Sequence, residues 1–68
     1  MEPRIGQMVY YKSHGSPNGE FKPSNRAAIV TRILSKDVVG IAVLSPNGMY
    51  FIDEATMGDE SGNWNWIM

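Results

Sequence analysis

The segment formed by residues 38–44, Val-Val-Gly-Ile-Ala-Val-Leu, has no polar side chain on either face. Short runs of β-branched and aliphatic residues are typical of strands, and a strand without a polar face is buried on both sides. Because the chain has only 68 residues, one small barrel can cover one side of this strand. We expect a second copy to cover the other side, which predicts a homodimer or a higher homo-oligomer.

Four further segments are rich in β-forming residues and are bounded by Gly, Pro, Ser or Asn, which indicates strands with turns between them. They are residues 7–13, 26–34, 49–53 and 63–68. Residues 35–37 suit a hairpin connection, residues 45–48 suit a tight turn, and the polar residues 54–62 suit a connection with room for one helical turn. Five short strands predict one all-β domain over residues 1–68, a small five-stranded SH3-like or OB-like barrel.

The period-two alternation assigns side chains to faces of these strands. In the first strand it places Val9, Tyr11 and Ser13 on one face, and Met8, Tyr10 and Lys12 on the other. In the last strand it places Trp64 and Trp66 together. Two tryptophans in so small a domain most simply form core or a dimer interface.

The composition excludes several classes of protein. With no cysteine and one histidine, neither a disulfide nor a zinc site of thiolates or several histidines can form, and no cofactor is expected. No apolar run approaches the roughly 20 residues that cross a bilayer, and the N-terminal residues lack the apolar core of a signal peptide. We therefore expect a cytoplasmic protein with no membrane partner.

Charge is divided unevenly along the chain. Residues 1–36 contain all six Lys and Arg residues and two acidic residues, whereas residues 37–68 contain five acidic residues and no basic one. This division suits an anionic small ligand, or two faces that pair across a dimer. A broad DNA or RNA surface would carry a basic total, so nucleic acid is not the expected partner.

The sequence contains no motif of a known catalytic site. The pairs Asp53-Glu54 and Asp59-Glu60 are adjacent, so on a strand their side chains diverge. His14 has serines beside it but nothing that would orient it as a base. We expect a protein that is not an enzyme.

The residues that suit binding surround a long loop. Residues 13–25 are dense in Gly, Pro, Ser and Asn, and loops of this length in small domains are usually functional or disordered. Arg26 closes the loop with a planar guanidinium suited to phosphate, while His14, Gly15 and Ser16 offer an imidazole, backbone N–H groups and a hydroxyl. The aromatic residues that could stack on a base are Tyr10, Tyr11, Tyr50, Trp64 and Trp66.

Each of these features has a simpler interpretation. Arg26 is explained equally well as an ordinary surface charge, or as an ion-pair partner for the acidic half of a second copy. A histidine at the edge of a loop is more often solvent-exposed than functional. At least one of the two adjacent tyrosines must belong to the core. Both tryptophans are explained equally well as core or interface residues, and the long loop as a disordered segment.

Four motifs carry a resemblance to a known family. They are Ser-His-Gly-Ser-Pro at residues 13–17, Arg-Ala-Ala-Ile-Val-Thr at residues 26–31, Ala-Val-Leu-Ser-Pro-Asn-Gly-Met-Tyr-Phe at residues 42–51 and Trp-Asn-Trp at residues 64–66. The chain resembles, over nearly its whole length, a family of very small proteins common in bacteriophage genomes. The resemblance implies a phage nucleotide sponge that defeats CBASS immunity by sequestering a cyclic dinucleotide such as cyclic GMP–AMP, or a cyclic ADP-ribose signal, without cleavage.

The resemblance also implies an oligomer with the ligand held near the Ser-His-Gly loop. At matching positions it points to Tyr11, Ser13, His14, Gly15 and Arg26, and we add Ser16, Asn47 and Trp64 as candidate ligand-binding residues. The chain departs from the family pattern at residues 16, 45 and 47, and a change at Asn47 would alter ligand choice if it lines the pocket. The alternatives are an SH3-like module that binds a host protein or nucleic acid, and a virion accessory protein.

Overall fold

A computed structural model describes residues 2–15, 22–46 and 48–67 of the chain. Those residues form five strands: β1 (Met8–Lys12), β2 (Asn25–Ile33), β3 (Val38–Ser45), β4 (Gly48–Thr56) and β5 (Trp64–Asn65). None of the described residues is helical, so the predicted all-β class is confirmed for this part of the chain. Across the same residues, no helix has the length and hydropathy that a membrane crossing requires.

The five strands form one open antiparallel sheet in the order β4-β3-β2-β1-β5. The first four strands follow one another as hairpins, and the chain then crosses to place β5 beside β1. An isolated parallel bridge joins Met57, just after β4, to Trp64 in β5. Closure into an SH3-like or OB-like barrel stays a prediction.

One face of the sheet, here called the inner face, carries the core. In the register of the sheet, Val9 of β1 lies opposite Ala28 of β2, which lies opposite Val43 of β3. The buried hydrophobic cluster consists of Val9, Tyr11, Ala28, Val30, Val39, Ile41, Val43, Ala55 and Trp64. Val9, Tyr11 and Ser13 are all buried, which confirms that they share one face and identifies that face as the inner one.

The opposite, outer face is also apolar. Met8, Ile29, Ala42 and Phe51 form one continuous row of cross-strand pairs over four strands. Ala42 in the middle of this row is only 5% exposed, whereas Phe51 at its end is 68% exposed. We infer that larger side chains of the neighbouring strands partly cover the outer positions of β3. The prediction that a second copy covers this side of β3 did not take that coverage into account.

The structure corrects the predicted boundaries of the last two strands. Residues 54–56, predicted as a polar connection, belong to β4, and none of residues 54–62 is helical, although the connection had room for one helical turn. A register shift between Val39 and Ile41 realigns the pairing, so that Ala55 lies opposite Val39 and is buried. The final strand is limited to Trp64 and Asn65 because the Trp66 N–H donates to the Asn65 side-chain Oδ1 instead of continuing the ladder.

Candidate functional site

The antiparallel topology gathers several predicted binding residues at one end of the sheet. Lys12 at the end of β1 pairs with Asn25 at the start of β2, and Ser45 at the end of β3 pairs with Gly48 at the start of β4. Residues 13–15, 24–26, 45–46 and Gly48 therefore lie at the same end, which we call the loop end. Ser16 and Asn47, also predicted as ligand-binding, lie outside the described residues.

Ser13 holds together the two ends of the long connection between β1 and β2. Its N–H donates to the Ser24 carbonyl at 2.9 Å, and its Oγ accepts the Ser24 N–H at 3.2 Å. The Ser13 hydroxyl also donates to the Ser24 carbonyl, again at 3.2 Å. The structure thus gives Ser13 a positioning role, and its direct contact with a ligand stays a prediction.

His14 is exposed and lies against the backbone of Gly62, and Gly15 beside it is partly exposed. Gly62 has a φ of +92°, and a Cβ there would come within 3.1 Å of the His14 Nε2. Its N–H donates to the Lys12 carbonyl at 2.8 Å. A glycine at this position therefore permits both the left-handed backbone and the close approach of the imidazole.

Arg26 and Tyr11 lie directly opposite each other, so their side chains share the inner face. Arg26 is half-buried. The Tyr11 ring is buried and meets the Tyr50 ring edge-on, with 6.4 Å between ring centroids. Burial, and to a smaller extent the neighbouring Tyr50, raises the pKa of the Tyr11 phenol above its ordinary value. Tyr50 rather than Tyr11 exposes aromatic surface at this end.

Trp64 lies in the core, as the simpler interpretation predicted. Its side chain is fully buried, and its Nε1–H donates to the Asp37 carbonyl at 3.0 Å. Trp66 packs edge-on against it with 5.1 Å between ring centroids and remains half-exposed. Of the two tryptophans, Trp66 is therefore the one that a ligand can reach.

A cleft of about 290 Å³ lies between β1, the start of β2 and the chain around β5. We call it the β5 cleft; it is lined by Tyr10, Lys12, Asn25, Gly58, Asp59, Asn63, Asn65 and Trp66. Of these, only Tyr10 and Trp66 were considered as binding residues in the sequence analysis, as stacking surfaces. The others are scattered along the chain and meet only because residues 57–65 fold back beside β1.

Among the described residues, no three His, Asp or Glu side chains come together in a group that could hold a metal ion. Comparison with protein-family models, with curated proteins and with solved structures found no match to this chain. The resemblance to the phage family therefore stays a prediction.

Proposed function

We propose that this chain is a phage anti-defence protein that binds a cyclic nucleotide immune signal at its loop end and holds it without cleavage. The observation that supports this proposal is the position of three groups at one end of the sheet. They are the guanidinium of Arg26, the exposed imidazole of His14 and the exposed ring of Tyr50.

Each of these groups suits a different part of such a ligand. Guanidinium binds phosphate through two parallel, charge-assisted hydrogen bonds. An imidazole donates one hydrogen bond when neutral and two when protonated. An aromatic ring stacks on a nucleobase, a contact worth about 1–3 kcal/mol per base. Together they suit a nucleotide that carries both phosphate and base.

Sequestration would act by mass action. A protein that only holds its ligand lowers the free concentration of the signal in proportion to its own concentration and affinity. It therefore has to bind more tightly than the host sensor and to outnumber the signal. No catalytic group is required for this effect.

Release of intact ligand tests this function directly. The purified chain is incubated with a panel of cyclic dinucleotides and cyclic ADP-ribose isomers, freed of unbound material and heat-denatured. Mass spectrometry of the supernatant is expected to recover one class of ligand unchanged. Recovery of a hydrolysed product would indicate an enzyme, and recovery of nothing from any ligand would refute the proposal.

Arg26→Ala locates the phosphate contact. We expect it to weaken binding of the recovered ligand by tenfold or more, because a hydrogen bond to a charged group contributes about 1.5–3 kcal/mol. Arg32→Ala is the matched control, since Arg32 is an exposed arginine on the same strand opposite Gly40, away from the loop end. Calorimetry that gives equal affinities for both variants would remove Arg26 from the site.

We propose in addition that a second copy of the chain covers the outer face. The support is the continuous apolar row from Met8 to Phe51, flanked by the exposed pair Leu44 and Met49. Contiguous exposed apolar patches on small proteins commonly mark association surfaces. A chain of 68 residues without disulfides also gains stability from such a contact.

Phe51→Ser tests this association. We expect the molar mass from light scattering to fall to that of the monomer, or the dissociation constant to rise at least tenfold. Ile5→Ser is the control, because Ile5 is 69% exposed, like Phe51, but precedes β1. A wild-type chain that is monomeric at high concentration would refute the proposal.

A further inference from the structure

The β5 cleft has the size of a site for one ring system. Its volume of about 290 Å³ lies at the lower limit of ligand pockets, which span about 300–1,000 Å³. A whole cyclic dinucleotide exceeds this space, whereas a single base with part of its sugar fits within it. Any ligand of the loop end that uses this cleft would therefore place only one of its parts there.

The cleft is held in shape by hydrogen bonds among its own lining residues. The Asn65 amide donates to the Gly58 carbonyl at 3.3 Å and to the Asp59 Oδ1 at 2.8 Å, and its Oδ1 accepts the Trp66 N–H. Asn63 Oδ1 accepts the Glu60 N–H at 3.0 Å. These hydrogen bonds fix the lining side chains relative to one another, and a lining fixed in this way lowers the entropic cost of binding.

Gly58 fixes one wall of the cleft. A Cβ at this position would come within 2.6 Å of the Asn63 Oδ1, which is closer than real side-chain atoms approach. The absence of a side chain therefore lets the two segments on either side of residues 59–62 approach each other. Their close approach brings Asp59 and Asn63 into the lining of one small space.

The lining of the cleft carries one positive and one negative side chain, so it has no net charge that would select phosphate. The Lys12 ammonium donates to the backbone carbonyl of Asp59 at 3.2 Å, so the Asp59 carboxylate belongs to the same small site. A phosphate placed there would be attracted by the Lys12 ammonium and repelled by the Asp59 carboxylate, so the two effects oppose each other. A neutral group with N–H donors would instead form charge-assisted hydrogen bonds to it.

The walls of the cleft are aromatic and its open edge carries an amide. Tyr10 and Trp66 are both half-exposed, and the Trp66 ring is fixed by its edge-on contact with Trp64. Asn25, which is exposed, presents a side chain that can both donate and accept. Aromatic walls with a carboxylate and an amide at the edge suit a planar heterocycle with polar edges.

We propose that the β5 cleft binds one nucleobase of the guanine type. Guanine presents a ring N–H and an adjacent amino group, two parallel donors that one carboxylate accepts, whereas adenine presents one donor beside an acceptor. Asp59 would accept these donors, Tyr10 and Trp66 would contact the ring faces, and Asn25 would bind the remaining polar edge. This inference rests on the proposed function for the rest of the ligand, since the sugar and phosphate would lie outside the cleft towards the loop end.

The probe for this site is guanosine, a base and sugar without phosphate. Titration into the ¹⁵N-labelled chain is expected to shift the amide signals of residues 10, 25, 59 and 63 and the Trp66 indole signal with saturation. Adenosine is expected to bind about tenfold more weakly, because it lacks one of the two donors. Ribose 5-phosphate is expected to leave these signals in place.

Asp59→Asn is the decisive variant. It keeps an oxygen that can accept from Asn65 but removes the negative charge, and we expect guanosine affinity to fall about tenfold. Asp53→Asn is the matched control, because Asp53 is an exposed carboxylate of β4, at the opposite edge of the sheet. Circular dichroism of both variants checks that the sheet is retained.

The possible results separate this inference from the proposed function. The inference is wrong if guanosine causes no saturable shifts, if adenosine binds as tightly, or if Asp59→Asn behaves like Asp53→Asn. If guanosine binds in the cleft but no cyclic nucleotide is retained, the proposed function fails and the cleft assignment stands. If a cyclic nucleotide binds at the loop end and the signals of the cleft stay unchanged, the cleft assignment fails alone.

Discussion

The inner and outer faces of the sheet are made by the same strands, and both are apolar. Ile41 and Val43 on the inner face are fully buried, whereas Phe51 and Met49 on the outer face are 68% and 57% exposed. The inner face is covered by side chains that converge from all five strands, including Trp64. Within the described residues, the side chains of the outer face receive only partial shelter from their neighbours on the same face.

This difference assigns the stability of the fold mainly to the inner face and association with other molecules to the outer face. Burying an aliphatic side chain stabilises a fold by about 1.5–3 kcal/mol, and in this chain that contribution comes from the inner face. An apolar side chain that stays exposed contributes little to the folded monomer. It can contribute to association, since its burial is still available.

The largest effect expected from this comparison is the loss of an inner side chain. Ile41→Ala should lower the free energy of unfolding by about 2–5 kcal/mol, because it removes buried methyl groups and leaves a cavity. Phe51→Ala, measured at a low concentration of protein, should change it by less than about 0.5 kcal/mol. Urea denaturation of both variants gives the two values.

Equal losses in the two variants would contradict the difference between the faces. A large and concentration-independent cost of Phe51→Ala would indicate that the outer face is packed within a single chain. A cost that appears only at high concentration would instead support coverage by a second copy.

Much of this fold follows from local sequence pattern, but the register does not. The alternation in residues 8–13 correctly separates the buried Val9, Tyr11 and Ser13 from the side chains of the outer face. The extension of β4 from Asp53 to Thr56 was missed because Glu54 and Thr56 are polar and resemble the start of a connection. The register shift beside β3 that brings Ala55 into the core depends on pairing between strands, which local alternation does not encode.

The candidate site, too, was predictable from the sequence only in part. Hairpin links force the connections after β1 and β3 to the same end of a sheet, so Arg26 and the residues before it could be grouped from sequence. The sequence could not show that Trp64 is buried in the core while Trp66 is half-exposed. That difference depends on β5 pairing with β1, more than 50 residues earlier in the chain, and on the bond from the Trp64 indole to the Asp37 carbonyl.

A smaller effect is expected where the loop end meets the chain before β5. Gly62→Ala should cost about 1–2 kcal/mol for the left-handed backbone and more for the contact with His14. Gly6→Ala is the control, because Gly6 has a similar φ of +90° but open space around it. Denaturation curves should show the larger loss for Gly62→Ala.

The part of that loss which comes from His14 can be isolated. Adding His14→Ala to Gly62→Ala should recover the excess cost and leave a loss equal to that of Gly6→Ala. If the double variant recovers nothing, the imidazole does not lie against Gly62, and its position at the loop end would need revision.

The smallest effect concerns Tyr11, which belongs to the core and borders the loop end. Because burial raises the pKa of its phenol, the folded chain holds this proton more tightly than the unfolded chain does. The stability that this difference contributes is fully present below the ordinary tyrosine pKa of about 10 and is lost as the pH rises through the folded pKa. Tyr11→Phe should therefore lose less stability than the wild type as the pH rises from 9 to 11.

Urea denaturation at several pH values within that interval measures the difference, and the free energies at pH 7 give the reference for the lost hydroxyl. Parallel pH profiles for wild type and Tyr11→Phe would mean that the phenol reaches solvent, at the face shared with Arg26. Tyr11 would then be open to a ligand directly. A flatter profile for the variant would instead assign Tyr11 to the core and leave the exposed ring of Tyr50 as the aromatic contact at this end.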